Sequence, residues 1–237
     1  MSLENRVAVI TGATGGLGAT LAHTLAVNGA RLALLDRDLA RLGTLPATLS
    51  LPESRVLIQA VDLLDPAATK ASAAAVQAKF GRVDILLHVV GGWTGGKSLF
   101  DATADDLKFM LNQHVWTSFN VIQAFVPYLV KNGWGRVVMI TSPFATRPNA
   151  KGGPYAAGKA GQEALMLTLS QELKGTGVTA NLLQAMTIDN QRAKISAPDA
   201  DNSSWTTPEE LTAGIMYFLS DEAGTVNGVK IPLFGSF

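Results

Sequence analysis

The chain has 237 residues, 47% of them hydrophobic, enough to bury one sizeable core in a single domain spanning 1–237. Lys plus Arg and Asp plus Glu balance at 19 each, so no basic surface marks a nucleic-acid or anionic-membrane partner. Cysteine is absent and only three histidines occur, which excludes disulfides and thiolate chemistry and predicts no metal; with no membrane-length apolar run and no signal-like apolar core in Met1–Arg6, a cytoplasmic protein is expected.

In chain order, Val7–Ile10 reads as a buried strand, Thr11–Gly18 as a glycine-rich turn and about 16–28 as a helix. Glycines there permit a tight turn and let the backbone approach a pyrophosphate at the positive helix N-terminus. Gly12, Thr14, Gly15, Gly16, Leu17 and Gly18 are therefore candidate dinucleotide contacts, although a plain strand–helix turn would use the same glycines. A second strand at Leu32–Leu35 ends on Asp36, whose carboxylate suits ribose hydroxyls and would repel a 2′-phosphate. That favours NAD(H), while the neighbouring Arg37 could attract the phosphate and leaves NADP(H) open. The third strand, Val56–Ile58, leads to Asp62 and Leu63; Asp62 either bonds an adenine amino group or caps a helix over 66–80.

Val83–Val90 reads as a fourth strand delivering Val90 and Gly91 to the same edge. Trp93 follows, as a flat wall for a substrate ring or a plug in its loop. Helical pattern over 103–131, with a break, carries His114; strand 136–140 precedes Ser142. A helix over 154–174 holds Tyr155 and Lys159, four apart and so on one face, where an ammonium can favour a phenolate. Taken alone, such a pair is also what a solvated helix surface shows. Strand 178–183, an irregular stretch at 185–206 that suits a flap and includes Ile188, a helix at 207–220 and strand 229–231 complete the chain. Near-continuous apolar strands alternating with helices predict a Rossmann-like doubly wound α/β domain. Its mainly parallel sheet of about seven strands has helices on both faces, with a cofactor-binding part at about 1–140 and a catalytic part at about 141–237.

The Thr-Gly-x-x-x-Gly-x-Gly run at 11–18, Asp36, Asp62, Ser142, Tyr155, Lys159 and the late Asn181 resemble the short-chain dehydrogenase/reductase family along essentially the whole chain. The resemblance implies hydride transfer between a nicotinamide and a carbonyl, alcohol or imine carbon. It implies Tyr155 as general acid, Lys159 as holder of the nicotinamide ribose and depressor of the tyrosine pKa, Ser142 as partner of the substrate oxygen, and Ile188 beside the carboxamide. The chain departs from the pattern at His88-Val89-Val90, where the family carries Asn-Asn-Ala, and at Ala185-Met186, where it carries Pro-Gly. His114 stands where an asparagine commonly joins the catalytic set; it is either a proton relay or a helix histidine bonded to nearby backbone.

A narrower similarity, to dihydropteridine reductase, rests on Gly91–Phe100, Trp116-Thr117-Ser118, Pro198–Asp201 and Ser203–Thr206, while Ser142 leans back toward carbonyl chemistry. A dinucleotide-binding sensor or scaffold without turnover is the alternative from another class. Phe119, Val126, Leu165, Met166 and Leu169 on the two long helices, with the segment ending at Phe237, suggest a homotetramer, or else a homodimer; they could equally cover the sheet.

Overall fold

The computed structural model describes residues 2–191, 193–196 and 202–234. Seven strands form one sheet: β1 (Val7–Thr11), β2 (Arg31–Asp36), β3 (Val56–Ala60), β4 (Ile85–His88), β5 (Gly135–Thr141), β6 (Val178–Gln184) and β7 (Lys230–Pro232). Their order is 3-2-1-4-5-6-7, and every pairing is parallel. The order reverses between β1 and β4, so the crevice at their carboxyl ends is the place such a sheet offers a ligand. A separate two-residue ladder joins Thr187–Ile188 to Trp205–Thr206 inside the expected flap, beside a short helix at Ala193–Ser196.

Helices α1 (Gly16–Val27), α2 (Leu39–Leu49), α3 (Pro66–Phe80), α4 (Ala104–Leu111), α5 (Thr117–Lys131), α6 (Gly153–Glu172) and α7 (Pro208–Leu219) cover the sheet. Strand side chains alternate between its faces. Ala8 and Ile10 pack with Leu21 and Leu25 of α1 and with Ile215 and Phe218 of α7; Val7 and Val9 pack with Val76 of α3, Phe125 of α5 and Met166 of α6. A parallel sheet covered on both faces explains why its strands read as unbroken apolar runs.

Four features differ from the sequence reading or sharpen it. The fourth strand covers only Ile85–His88, because Val89 and Val90 turn away after the Val89 amide bonds the Thr11 carbonyl. Helix α2 carries no clean periodic signal: Gly43 and Pro46 interrupt it, yet Asp38 caps it and Leu42 and Leu49 bury its inner face. The break in 103–131 is a wide π turn, Asn112–Trp116, that keeps α4 and α5 continuous. Of the five supposed interface residues, Val126, Met166 and Leu169 belong to the sheet-covering core. Phe119 stays partly exposed, and Phe237 lies outside the described residues.

Asp84 ties the far end of the sheet together. Fully buried, it accepts the Val7 amide at 2.9 Å and a forked pair from Arg82 at 2.8 and 2.6 Å, with Arg6 at 3.5 Å. Asp84→Ala would strand a buried strand amide and release the Arg82 fork, and it is expected to cost about 3 kcal/mol. Urea unfolding measures it; a loss under about 1 kcal/mol would contradict this role.

Candidate active site

The carboxyl edge of the sheet opens into a cleft of about 660 Å³ whose walls include the Gly15–Gly18 turn, Trp93, His114, Tyr155, Lys159 and Ile188. A second hollow of about 260 Å³ adjoins it through Gly12, Gly15 and Val90 and is lined by Asp36, Arg37, Arg41, Asp62 and Leu63. Together they make one groove across the β1/β4 crevice.

The glycine turn leaves room that any side chain would fill. Gly12 has φ of +76°, and a Cβ there would sit 3.2 Å from the Val89 carbonyl carbon and the Val90 nitrogen. A Cβ on Gly18 would run into the Gly12 carbonyl oxygen, and one on Gly16 into the Asn190 side chain from the flap. The bare backbone at the start of α1 therefore faces the groove, as a pyrophosphate requires. Asp36 closes the outer side. Its Oδ2 accepts the Thr14 amide at 3.0 Å and the Thr14 hydroxyl at 2.7 Å; its Oδ1 accepts the Arg37 amide at 2.7 Å. Burial works against that carboxylate, but Thr14 and the following amides hold it below the usual range. A carboxylate has about four acceptor sites, and these three bonds leave room for a ribose hydroxyl. Arg41, unnoticed in the sequence, donates to the Thr14 carbonyl at 2.6 Å and adds a second guanidinium beside Arg37. Asp62 holds its own loop by accepting the Leu64 amide, while Asp65, not Asp62, caps α3. Leu63 is buried, and its carbonyl accepts from Asn120 at 2.8 Å.

His88 fills the space between β1 and α5. Its Nδ1 lies 2.7 Å from the Thr11 hydroxyl and its Nε2 3.3 Å from that of Thr117, which itself donates to the Gln113 carbonyl. Those partners assign the proton to Nε2. Burial, with the charge of Lys159 second, pushes this ring down to about 3, so it is a neutral brace. His114 sits in the wide turn, fully buried and edge-on to Tyr155 at 5.5 Å between centroids. Its Nε2 lies 2.9 Å from the Gly92 carbonyl, which makes it a donor that fixes the 91–96 loop. Burial and then Lys159 push it to about 3 as well, so it remains neutral at working pH and is no titrating relay.

Tyr155 and Lys159 share one face of α6 and both line the cleft. The Lys159 ammonium is not directed at the phenol. It donates to the Ile140 carbonyl at 2.7 Å and to Gln162 Oε1 at 3.0 Å. Burial brings it down to about 7, against the opposing pull of Glu163. For Tyr155, burial raises the phenol pKa and the Ser142 hydroxyl works the other way. The expected depression by Lys159 is thus overturned, because desolvation dominates and the ammonium is tied to β5 and Gln162. Ser142 is fully buried, its Oγ accepting the Phe144 amide at 3.3 Å, while Thr141 and Phe144 line the cleft on either side of it in sequence. Trp93 is 66% exposed at the mouth, its ring lying over Gly95. Asn181 faces β7 instead, bonded to Val226 and Val229. Asn190 carried no sequence signal; Arg41 had one, a cation in the first turn after an acidic strand end.

The family model described as short chain dehydrogenase matches residues 6–200. D-threitol dehydrogenase of Mycolicibacterium smegmatis is 28% identical over 244 aligned residues, covering 99% of this chain and 94% of that enzyme. The 3-oxoacyl-[acyl-carrier-protein] reductase of Salmonella typhimurium is 26% identical, covering 99% and 98%. The structure of NAD+-bound xylitol dehydrogenase superposes with a TM-score of 0.90 over 100% of both chains at 21% identity, which speaks to the fold.

Both buried histidines titrate at about 3 here, against roughly 6.5 in an unfolded chain. Below about pH 6.5 the unfolded state takes up protons that the native state refuses, so stability falls as pH drops toward 3. The slope is roughly 1.4 kcal/mol per pH unit for each ring. His88→Asn removes one of the two and is expected to flatten this acid limb, read from urea unfolding between pH 7 and 4.5. An unchanged slope would contradict the burial of a neutral ring.

Proposed function

The chain belongs to the short-chain dehydrogenase family of oxidoreductases, and from that premise we propose that it moves hydride between a nicotinamide dinucleotide and the carbonyl or alcohol carbon of a small molecule, with Tyr155 as the acid and base. The observation that carries this reading is that Tyr155 and Lys159 open into the same cleft as the glycine turn. When bound, the nicotinamide supplies or accepts the hydride. Gly12 to Gly18 would hold the pyrophosphate, Asp36 the adenosine ribose, Asp62, Leu63, Val90 and Gly91 the adenine side, and Ile188 the carboxamide. Asp36 favours NAD(H), and Arg37 with Arg41 leaves NADP(H) open.

A phenol raised by burial stays protonated at neutral pH, which suits donation to an oxygen that gains negative charge during reduction. Lys159 would hold the nicotinamide ribose. In its charged form it would also favour the phenolate left behind, so its conversion near pH 7 bears on turnover. His114 joins the set as a neutral positioning group, buttressing the Tyr155 ring and the loop that carries Trp93. Trp93 and Ser142 would meet the substrate from the mouth and the floor.

The dihydropteridine reductase reading gains nothing from the two relatives, whose names concern a sugar alcohol and an acyl-carrier ketone, and Pro198–Asp201 lie outside the described residues. Among the described residues no helix is long and apolar enough to cross a membrane. We place the protein in the cytoplasm and as a homotetramer, a dimer being the other arrangement; exposed Leu107, Phe109, Trp116 and Phe119 on the α4–α5 face support self-association.

Tyr155→Phe removes the transferable proton and keeps the ring. Turnover in a carbonyl and alcohol panel, followed at the NADH absorbance band, is expected to fall by roughly 10²–10⁴-fold. The NADH dissociation constant should stay within about threefold, and equal losses in both would contradict the assigned role.

A further inference from the structure

Gln162 lies one turn beyond Lys159 on α6 and is fully buried. Its amide is used at both ends and in one direction. The Lys159 ammonium donates to Oε1 at 3.0 Å; Nε2 donates to the Ser118 hydroxyl at 3.1 Å; that hydroxyl donates to the His114 carbonyl at 2.6 Å. The chain of donors thus starts at the α6 ammonium and ends in the wide turn of α4–α5. Lys159 has three N–H groups, and the Ile140 carbonyl takes another at 2.7 Å. Two protons are anchored to protein acceptors; the third has no acceptor among the described residues, and Lys159 lines the cleft.

We propose that Gln162 is a positioning residue for this site, its amide locking the Lys159 ammonium in the one orientation that presents a single N–H to the cleft and keeping that group charged where it is buried. The proposal deepens the oxidoreductase reading and rests on it for its meaning in turnover. The physical reason is local. A buried ammonium loses its hydration shell, and neutral oxygens fixed around it are what compensate. Ile140 O is part of the sheet and cannot adapt; Gln162 Oε1 is a side-chain atom, held in place from its other end by Ser118. An apolar side chain at 162 would leave Lys159 with one protein acceptor and free rotation.

The titratable and charged groups around Lys159 are few. Tyr155 and Glu163 lie on its own helix, His88 at the end of β4 and His114 in the wide turn. Glu163 is occupied by the Thr141 hydroxyl at 2.9 Å and by Lys230 of β7 at 2.8 Å. Both histidines are neutral. The polar atoms that touch the ammonium are therefore those of Ile140 and Gln162, while Glu163 acts on it from a distance.

The test uses the whole protein and reads Lys159 itself. Lysine labelled with ¹³C at Cε is titrated by NMR in the wild type, in Gln162→Met and in Gln162→Glu, with the resonance assigned by its absence in Lys159→Met. Gln162→Met removes the acceptor, and the proton affinity of Lys159 should fall at least threefold. Gln162→Glu supplies a charged acceptor at the same place and should raise it at least tenfold. The pH above which NADH-linked turnover declines should move in the same two directions. Opposite shifts from two side chains of similar size are not what a mere packing role produces. The inference is overturned if folded variants leave the Lys159 midpoint unchanged or move it the same way. Should neither variant fold, the wild type decides: the Gln162 side-chain amide must titrate with the Lys159 midpoint, and an amide that ignores it overturns the inference. If Lys159 shifts as expected while no substrate is turned over, the positioning role stands and the oxidoreductase reading fails instead.

Discussion

An ammonium buried at the carboxyl edge of a parallel sheet is the constraint around which this molecule is arranged. Lys159 keeps little room for water where it sits, so its neighbours must replace most of its hydration. The sheet contributes a carbonyl from Ile140 and α6 contributes Gln162. Both are neutral, and burial brings the lysine down to about 7, where it can respond to what enters the cleft. A directly bonded carboxylate would have fixed the charge permanently; Glu163 instead bonds Thr141 and Lys230, and it pulls on Lys159 from a distance.

The two histidines follow from the same constraint. Each lies close enough to Lys159 for its charge to oppose theirs, and each is buried beyond the reach of solvent. A second cation beside the first would cost too much, so both rings act as neutral hydrogen-bonding groups. His88 braces Thr11 at the end of β1 against Thr117 on α5, at the point where the sheet order reverses. His114 ties the wide turn to the loop carrying Trp93. Close backbone approach makes this possible: a Cβ on Gly158 would meet the Met110 carbonyl oxygen at 2.8 Å and the His114 ring at 3.1 Å. The small residue between Tyr155 and Lys159 is thus what lets α4 and α6 come together over the site.

Much of this was legible in the letters because it is periodic or has fixed spacing. Apolar runs such as Val83–Val90 and Val178–Leu183 announced buried strands, and the 11–18 turn with Asp36 announced a groove across them. The wide turn was visible only as a break, since a π turn shifts the helical phase without a glycine or proline to mark it. Helix α2 was hidden by Gly43 and Pro46, residues that end most helices and here do not. Side-chain orientation was the least accessible level. Tyr155 and Lys159 four apart established a shared face, but not that the ammonium turns toward Ile140 and Gln162. Nor did spacing reveal that burial would raise the phenol where Lys159 was expected to lower it. Asn190 reaching Gly16 joins residues 174 positions apart, and no local pattern encodes that.

The central claim is that Lys159 offers one N–H to a nicotinamide ribose while its other two stay on the protein. A crystal structure with bound NAD tests it most directly. The account predicts ribose hydroxyls within hydrogen-bond reach of Lys159 Nζ, with the bonds to Ile140 and Gln162 retained and the nicotinamide ring between Ile188 and Tyr155. A ribose bound elsewhere, or a Lys159 that abandons Gln162 to meet it, would contradict the account.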